Sequence, residues 1–327
     1  MGRLITVDDL KKHYPVSRSL KEMVNGERPA VRALDGVSFE LEERESIGLL
    51  GESGCGKTTT GRLILKLEEP TSGSVTVDGQ PIARLKGKAL KEFRKQAQLV
   101  FQNPFDALNP RLTMEQSLSE PLINAGAPKA EFSDRIAAVM KQARLPRIKE
   151  VLPKYPHQLS GGQLQRIVLA RALILGPRFI VADEPVSMLD VSVRADILNL
   201  MRDIQRESSL SAIYISHDLA LVRYVAKRTL VMYLGRIVED GPTEEIVLRP
   251  QHPYTKALIA AVPVPRVDQD RGPLPIKGNV PDARRPPSGC RFHDRCPIAI
   301  ARCSVEDPAL LPSAPGHRVA CHLVAKA

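Results

Sequence analysis

The chain has 327 residues, of which 43% are hydrophobic and 26% are charged, and its formal net charge is +10. These proportions are typical of a soluble globular protein, and the length suffices for one large or two modest domains. No apolar run approaches the about 18 residues that a transmembrane helix requires, which excludes a membrane-spanning chain. The first 13 residues lack a hydrophobic signal core, so we expect the protein to stay in the cytoplasm.

The positive charge suits an anionic partner, such as nucleic acid or an anionic membrane face. A basic surface without a specific role explains it equally well. No dense block of Lys and Arg with interleaved aromatic residues is present, which weakens the nucleic-acid interpretation. The charge alone therefore does not decide the partner.

The chain begins with residues typical of short strands. Leu4–Val7 and Val37–Leu41 are predicted strands, and the polar segment Ser17–Pro29 between them is a predicted hairpin loop. Tyr14 precedes that loop. Its ring either packs on the sheet or stacks on an adenine base, and the residues around it leave both open.

A phosphate-binding motif follows. Ser46–Leu50 is a predicted buried strand, residues 51–58 fit G-x-x-x-x-G-K-[ST], and residues 60–67 have helical apolar spacing. Backbone N–H groups of such a loop bind a polyphosphate, the lysine reaches the β- and γ-phosphates, and the hydroxyl after it binds Mg²⁺. The residues expected to contact ATP here are Gly51, Ser53, Gly54, Cys55, Gly56, Lys57, Thr58 and Thr59.

Alternating strands and helices continue to about residue 250, which predicts an α/β fold with a parallel sheet. Gln102 lies at the carboxyl end of a predicted strand, where open parallel sheets place ligand contacts. Residues 103–175 are largely helical, with a break at residues 126–128, and are predicted to form an inserted helical subdomain. The other predicted elements are a strand at 75–79, a basic helix at 86–95, a strand at 99–101, a strand at 179–184, a helix to about 205 capped by Asp190 or Ser192, a strand at 212–216 and a hairpin at 229–239.

Two carboxylates in series end the strand at 179–184. Such a pair suits metal-assisted hydrolysis, with Asp183 holding Mg²⁺ through its hydration shell and Glu184 polarising the attacking water. The alternative is a pair of acids that merely face solvent. His217 follows the next strand, where it either contacts a γ-phosphate or is structural.

These motifs resemble those of the ABC ATPases. Leu159–Gln163 reads Leu-Ser-Gly-Gly-Gln, the signature of that family, and Gln102, Asp183-Glu184, residues 187–190 and His217 occur in the family's order. The resemblance covers residues 4–250. It implies a P-loop NTPase cassette with a RecA-like parallel-sheet core, an N-terminal antiparallel β subdomain and the inserted helical subdomain.

The same resemblance implies further site residues. Ser160 and Gly162, with Gly161, Gln163 and Asp190, contact ATP bound by an opposing cassette. Tyr14 takes the adenine-stacking position, and Thr58, Gln102 and Asp183 are the implied Mg²⁺ residues. Glu184, His217 and Gln102 are the implied catalytic residues. Met188 departs from the alanine common in the loop at 187–190, which removes no catalytic group.

Several segments narrow the resemblance to the ATP-binding subunits of dipeptide and oligopeptide importers. They are Phe101–Pro104, Tyr155–Gln163, His252–Thr255 and the cysteine-bearing tail. The resemblance implies ATP hydrolysis coupled to peptide uptake, a paralogous ATPase as heterodimer partner, two integral-membrane permease subunits and an extracytoplasmic solute-binding protein. It also implies a location on the cytoplasmic face of the inner membrane. Related importers carry nickel or glycosides, and a soluble ABC ATPase acting on nucleic acid is the alternative class, although no nucleic acid is expected.

The composition changes after residue 250, where proline becomes dense, so we predict a nucleotide-binding domain at 1–250 and a C-terminal region at 251–327. Four of the five cysteines, Cys290, Cys296, Cys303 and Cys321, lie in this tail, separated by 5, 6 and 17 residues. Zinc sites usually contain a C-x₂₋₄-C pair, and none occurs here. Spacing leaves zinc, an iron–sulfur cluster and free thiols open. The resemblance to importer subunits favours a structural [4Fe–4S] cluster.

Overall fold

A computed structural model describes residues 2–16, 29–262 and 276–324. The predicted hairpin loop falls on residues 17–28, which lie outside the described residues. The strands are β1 (Arg3–Pro15), β2 (Ala30–Glu42), β3 (Ser46–Leu50), β4 (Ser72–Val77), β5 (Gln80–Pro81), β6 (Ala97–Val100), β7 (Phe179–Asp183), β8 (Ser211–Ser216), β9 (Arg228–Tyr233), β10 (Arg236–Pro242), β11 (Leu311–Ala314) and β12 (His317–Val319).

The α-helices alternate with these strands over much of the chain. They are α1 (Lys57–Ile64), α2 (Gly87–Gln96), α3 (Met114–Ala125), α4 (Phe132–Gln142), α5 (Ile148–Val151), α6 (Gly161–Leu173), α7 (Val191–Glu207), α8 (Leu219–Val225), α9 (Thr243–Leu248), α10 (Pro253–Ala260) and α11 (Ala301–Val305). Within the described ranges, none of these helices has both the length and the apolar character needed to cross a membrane.

The chain divides into two compact units. The first unit comprises Met1–Leu4, Leu41–Ser46 and Pro81–Ile215, and the second comprises Ile5–Glu40, Ile47–Gln80 and Ser216–Ala327. The second unit therefore contains both the phosphate-loop segment and the C-terminal tail. The predicted boundary at residue 250 stays a prediction.

The first unit has parallel strands and a group of helices. Its strands follow the order β8-β7-β6, and β7 pairs in parallel with both neighbours. β8 is buried throughout and β7 is buried except at Asp183, as expected for parallel strands covered on both faces. Helices α3, α4 and α6 pack against one another, and α3 ends at Gly126, where the sequence predicted the helical break.

The second unit contains two sets of strands. One set follows the order β2-β1-β4-β5, with β1 antiparallel to β4, which matches the predicted antiparallel β subdomain. The other follows β11-β12-β10-β9-β3, in which β3 and β9 are parallel and β9 and β10 form the predicted hairpin. The carboxyl end of β3 leads directly into the phosphate loop.

Strands β11 and β12 are absent from the sequence-based prediction of the tail. β12 pairs antiparallel with β10, placing Val319 opposite Glu239. Side-chain contacts join the same strands: the buried His317 Nε2 lies 2.8 Å from a Glu239 carboxylate oxygen, and the partly exposed Arg318 pairs with Asp240. These strands are short and of mixed composition, so neither alternation nor hydrophobicity indicates them. Pairing with β10 stabilises β12, and pairing with β12 stabilises β11.

Candidate functional site

The phosphate loop connects β3 to α1 within the second unit. Gly56 has a φ of +106°, a left-handed conformation that side chains other than glycine rarely adopt. A Cβ at this position would lie 2.4 Å from the Ala33 carbonyl oxygen. Ser53, Gly54 and Thr58 are exposed, so the mouth of the loop is open to a ligand. The glycine of the motif is therefore required by both conformation and space.

Lys57 is held over this loop by the loop's own backbone. Its ammonium donates hydrogen bonds of 2.7 Å to the Gly51 carbonyl and 3.0 Å to the Glu52 carbonyl, and the residue is buried. A buried ammonium beside backbone N–H groups is a strong anion-binding arrangement. Burial raises the pKa of the neighbouring Cys55 thiol, so this cysteine is held as the neutral thiol.

Gln102 and Glu184 meet in the first unit. The Gln102 side-chain amide donates to a Glu184 carboxylate oxygen at 3.1 Å. Glu184 follows the last residue of β7, Asp183, and its φ of +44° is left-handed. Its N–H donates to the Ile215 carbonyl at 2.9 Å, which holds this strained conformation. The strand predicted to reach Glu184 thus ends one residue earlier, and the catalytic candidate occupies the turn.

The signature segment begins helix α6. Ser160 is the N-cap, and its side chain and that of Gln163 bond reciprocally to each other's backbone N–H. A Cβ on Gly162 would lie 2.8 Å from a methyl group of Val193 in α7, so close helix packing requires the glycine. Ser160 and Gly161 are exposed. The arrangement leaves a helix N-terminus accessible to an anion.

Asp190 takes the N-cap position of α7, but its side chain makes no capping hydrogen bond. Of the two predicted capping residues, Asp190 and Ser192, Asp190 therefore occupies the N-cap position without a side-chain bond. Asp190 and Met188 are both exposed. Their side chains are accessible to a partner.

Tyr14 lies in β1 and is half-buried. Its hydroxyl donates to the Glu68 carboxylate, and the Lys12 ammonium lies 5.0 Å from the ring centroid. Burial, followed by the bond to Glu68, raises the pKa of Tyr14, so the phenol stays neutral. Its tethered hydroxyl orients the ring while part of the side chain stays accessible.

His217 shares a cavity with the start of the phosphate loop in the second unit. The cavity has a volume of about 410 Å³, and its lining includes Gly51, Glu52 and Tyr254 together with apolar residues of α10. The structure thus brings His217 close to the loop, and it brings Gln102 to Glu184 in the first unit. Glu52 and Tyr254 were not predicted as site residues, because Glu52 occupies a variable position of the motif.

Comparisons with known proteins agree with these motifs. A family model described as ABC transporter matches residues 34–187, and one described as the C-terminal region of oligopeptide/dipeptide transporters matches residues 238–303. A probable peptide ABC transporter ATP-binding protein of Sinorhizobium fredii is 46% identical over 99% of this chain and 91% of the relative. The chain belongs to the ATP-binding proteins of peptide ABC transporters.

Other members and solved cassettes extend this likeness. The di/tripeptide transport ATP-binding protein DppF of Pseudomonas aeruginosa is 45% identical over 98% of both chains. The dimeric post-hydrolysis structure of the ATP-binding cassette MJ0796, bound to ADP and Pi, is 27% identical with a TM-score of 0.64, covering 73% of this chain and 99% of that one. The ABC ATPase fold that the motifs predicted is confirmed.

The tail cysteines of this ABC ATP-binding protein are neighbours without forming a metal site. Burial raises the pKa of Cys290 to about 11, and the thiols of Cys303, Cys321 and Cys296 add to the effect. Among the described residues, however, no group of three or more His, Cys, Asp or Glu side chains is arranged to hold a metal ion. The predicted [4Fe–4S] cluster and its zinc alternative are therefore not supported by the side-chain geometry.

Proposed function

We propose that this chain is the ATP-hydrolysing subunit of an importer that takes up dipeptides or oligopeptides. The observation that carries the proposal is similarity along almost the whole chain to peptide transporter ATP-binding proteins, including the C-terminal region at residues 238–303. A nucleotide-binding cassette alone indicates only that ATP hydrolysis drives some process. The additional C-terminal region favours peptide import among the uses of that cassette.

ATP binding is assigned to the phosphate loop and Tyr14. The exposed N–H groups of the loop and the Lys57 ammonium hold the β- and γ-phosphates, while the Tyr14 ring stacks on adenine. The residues assigned to Mg²⁺, from the resemblance to ABC ATPases, are Thr58, Gln102 and Asp183. When bound, Mg²⁺ neutralises charge on the phosphates.

Hydrolysis is assigned to Glu184 as general base. The 3.1 Å bond from Gln102 holds the Glu184 carboxylate in place, and we assign this carboxylate to accept a proton from water. The left-handed backbone of Glu184 projects the side chain from the end of β7. His217, beside the phosphate loop, donates to the γ-phosphate. Contacts to ATP on an opposing cassette are assigned to Ser160, Gly161, Gly162, Gln163 and Asp190.

The assembly is a further part of the proposal, supported by the likeness to peptide import ATP-binding proteins. A signature helix with an open N-terminus needs an ATP molecule that another cassette supplies, and we assign that cassette to a paralogous ATPase. Two integral-membrane permease subunits and an extracytoplasmic solute-binding protein complete the importer. The chain then lies at the cytoplasmic face of the membrane, where closure and reopening of the paired cassettes drive the permeases.

The test is transport by the reconstituted importer. The chain is co-expressed with the two permease subunits and the paralogous ATPase of the proposed importer, purified as a complex and placed in vesicles with the binding protein. We expect peptide-stimulated ATP hydrolysis, its loss in Lys57→Ala, and no change in the control Lys88→Ala, which alters an exposed lysine of α2. Uptake of nickel or a glycoside instead of peptides would contradict the substrate. Salt-sensitive DNA binding without permease association would contradict the importer.

The iron–sulfur cluster of the tail is a separate part of the proposal. What supports it is the number of cysteines in the tail and the resemblance of the tail to that of importer subunits, and not the arrangement of the thiols. Iron, sulfide and zinc analysis of protein purified without oxygen tests it. About four iron atoms per chain would support the cluster. One zinc per chain, or no metal, would exclude it.

A further inference from the structure

Glu52 of the phosphate loop uses all of its polar groups in contacts within the second unit. Its N–H donates to the Tyr254 hydroxyl at 2.9 Å, and its carbonyl accepts from Lys57 at 3.0 Å. Its two carboxylate oxygens accept from the two terminal nitrogens of Arg295 at 3.0 and 3.3 Å. Three of these four contacts involve the C-terminal residues Tyr254 and Arg295, which ties the loop to residues more than 200 positions away.

The two distant partners are themselves held rigidly. Tyr254 is 1% exposed and Arg295 5% exposed. The Tyr254 ring lies 4.7 Å from that of Tyr233 and 5.5 Å from that of Phe292, measured between centroids. The Arg295 guanidinium lies 5.8 Å from the Tyr233 ring and 5.9 Å from the Phe292 ring. Such packed aromatic and cation–π contacts leave the donor and the hydroxyl few alternative positions.

The ion pair is asymmetric in its exposure to water. The side chain of Arg295 is 6% exposed, whereas that of Glu52 is 33% exposed. Arginine cannot lose its proton, so removing the carboxylate leaves a charge that water scarcely reaches. The paired hydrogen bonds also fix the plane of the carboxylate and therefore the direction of the Glu52 backbone. The contact thus restricts the first turn of the phosphate loop.

We propose that Arg295 and Tyr254 are positioning residues of the ATP site. They hold the Glu52 backbone so that the following N–H groups and Lys57 are arranged before the phosphates arrive. A loop ordered in advance loses less conformational entropy on binding, which lowers the dissociation constant. Nucleotide affinity therefore depends on the folded C-terminal region. This inference rests on the proposed binding of ATP by the phosphate loop.

The experiment is titration of the full-length chain with a fluorescent ATP analogue, with thermal unfolding recorded for every variant. We expect Arg295→Gln to raise the dissociation constant roughly ten-fold and Arg295→Lys to restore part of the affinity, because it keeps the charge without the paired geometry. Tyr254→Phe removes one neutral acceptor, and we expect a rise of roughly three-fold. The control Arg302→Gln alters an exposed arginine of the same tail, paired with Glu306, and should change nothing.

A double-variant cycle separates positioning from general damage. Glu52→Gln removes the same ion pair from the loop side, so Glu52→Gln with Arg295→Gln should bind ATP no more weakly than either single variant. Glu52→Gln also decides the outcome if Arg295→Gln fails to fold. In the assembled ATPase, KM for ATP should rise while kcat changes little.

Two results would overturn the inference: native affinity in Arg295→Gln and Glu52→Gln, or fully additive effects in the double variant. Lys57→Ala distinguishes this failure from that of the proposed function. If Lys57→Ala abolishes binding while Arg295→Gln does not weaken it, only the positioning role is wrong. If Lys57→Ala also binds normally, the ATP site itself is misassigned.

Discussion

The phosphate loop and the C-terminal tail belong to the same compact unit but are specified in opposite ways. The loop is a run of neighbouring residues whose shape follows from glycines such as Gly56 and from a lysine that bonds to the loop's own backbone. The tail is held by side chains that meet partners far away in the chain, such as Arg295 with Glu52 and His317 with Glu239. A local motif can be recognised residue by residue, whereas contacts between distant segments require the fold.

A second buried arginine of the tail is likewise held by partners that are distant in the chain. Arg291 pairs with Asp35 of β2 and donates to the Leu234 carbonyl at 2.9 Å, and Asp35 also contacts His13 at 2.9 Å. Burial alone would raise the pKa of Asp35, but the bond from His13 and the charge of Arg291 outweigh it and hold the pKa below its usual value. Arg291 therefore connects the tail to β2. Asp35 extends this connection to His13, the residue next to Tyr14.

The largest expected effect concerns a residue of the local sequence motifs, Glu184. Glu184→Gln removes the base but keeps the acceptor for Gln102, so steady-state hydrolysis should fall by about 10²- to 10⁴-fold while ATP binding persists. Phosphate release and nucleotide titration measure the two quantities. Turnover at the native rate would assign the base elsewhere.

The next effect concerns the tail. Arg291→Gln removes the buried arginine partner of Asp35, which keeps its contacts with His13 and Arg32, and we expect a loss of about 3–5 kcal/mol in the free energy of unfolding. Denaturant titration measures it, with Arg302→Gln as the exposed control expected within about 1 kcal/mol of the parent. Equal losses in both variants would mean that buried pairing is not what anchors the tail.

The third prediction concerns the phosphate loop. Gly56→Ala separates the effect of backbone strain from that of a steric contact. The new methyl group would meet the Ala33 carbonyl at 2.4 Å in a left-handed backbone, so we expect a loss of about 2–3 kcal/mol and weakened ATP binding. Gly79→Ala is the matched control. Gly79 has a φ of +73° with no atom within 4 Å of the added Cβ, so only strain of about 1 kcal/mol applies. Equal effects would rule out the contact with Ala33.

The smallest expected effect is a pH dependence of the free energy of unfolding, which originates in His252. Burial lowers the pKa of His252 to about 4 from its usual 6.5. Between these values the unfolded chain binds the proton and the folded chain does not, so stability falls as the pH drops, by about 2 kcal/mol between pH 6.5 and 5. His252→Asn keeps an acceptor for the Tyr254 N–H and should flatten the dependence.

Glu239 accepts a hydrogen bond from the His252 N–H, so its own titration must be separated from that of His252. Hydrogen bonds from His317 and others outweigh burial and lower the pKa of Glu239, so its contribution is lost only at more acid pH, below its usual 4.5. Unfolding measured between pH 6.5 and 5 therefore isolates His252. An unchanged slope in His252→Asn over that range would assign the pH dependence to another group.

Most elements of the cassette were predictable because their signals are local. β3, β8 and the hairpin of β9 and β10 appear as apolar runs with turn residues between them, and the phosphate loop and signature are contiguous motifs. β11 and β12 were missed because strands of three or four residues are too short to show a periodicity of their own. The Asp190 cap was predicted from residue type, but the side chain makes no such bond in the fold.

The sequence by itself determined the chemistry of this protein. The order of the phosphate loop, Gln102, the signature at Leu159–Gln163, Glu184 and His217 identifies an ABC ATPase, because each motif needs its residue types at short spacing. Only the tertiary structure decided how the C-terminal tail contacts the phosphate loop. The contact of Arg295 with Glu52 joins residues 243 positions apart, and no local pattern encodes a pairing that depends on how the whole chain folds.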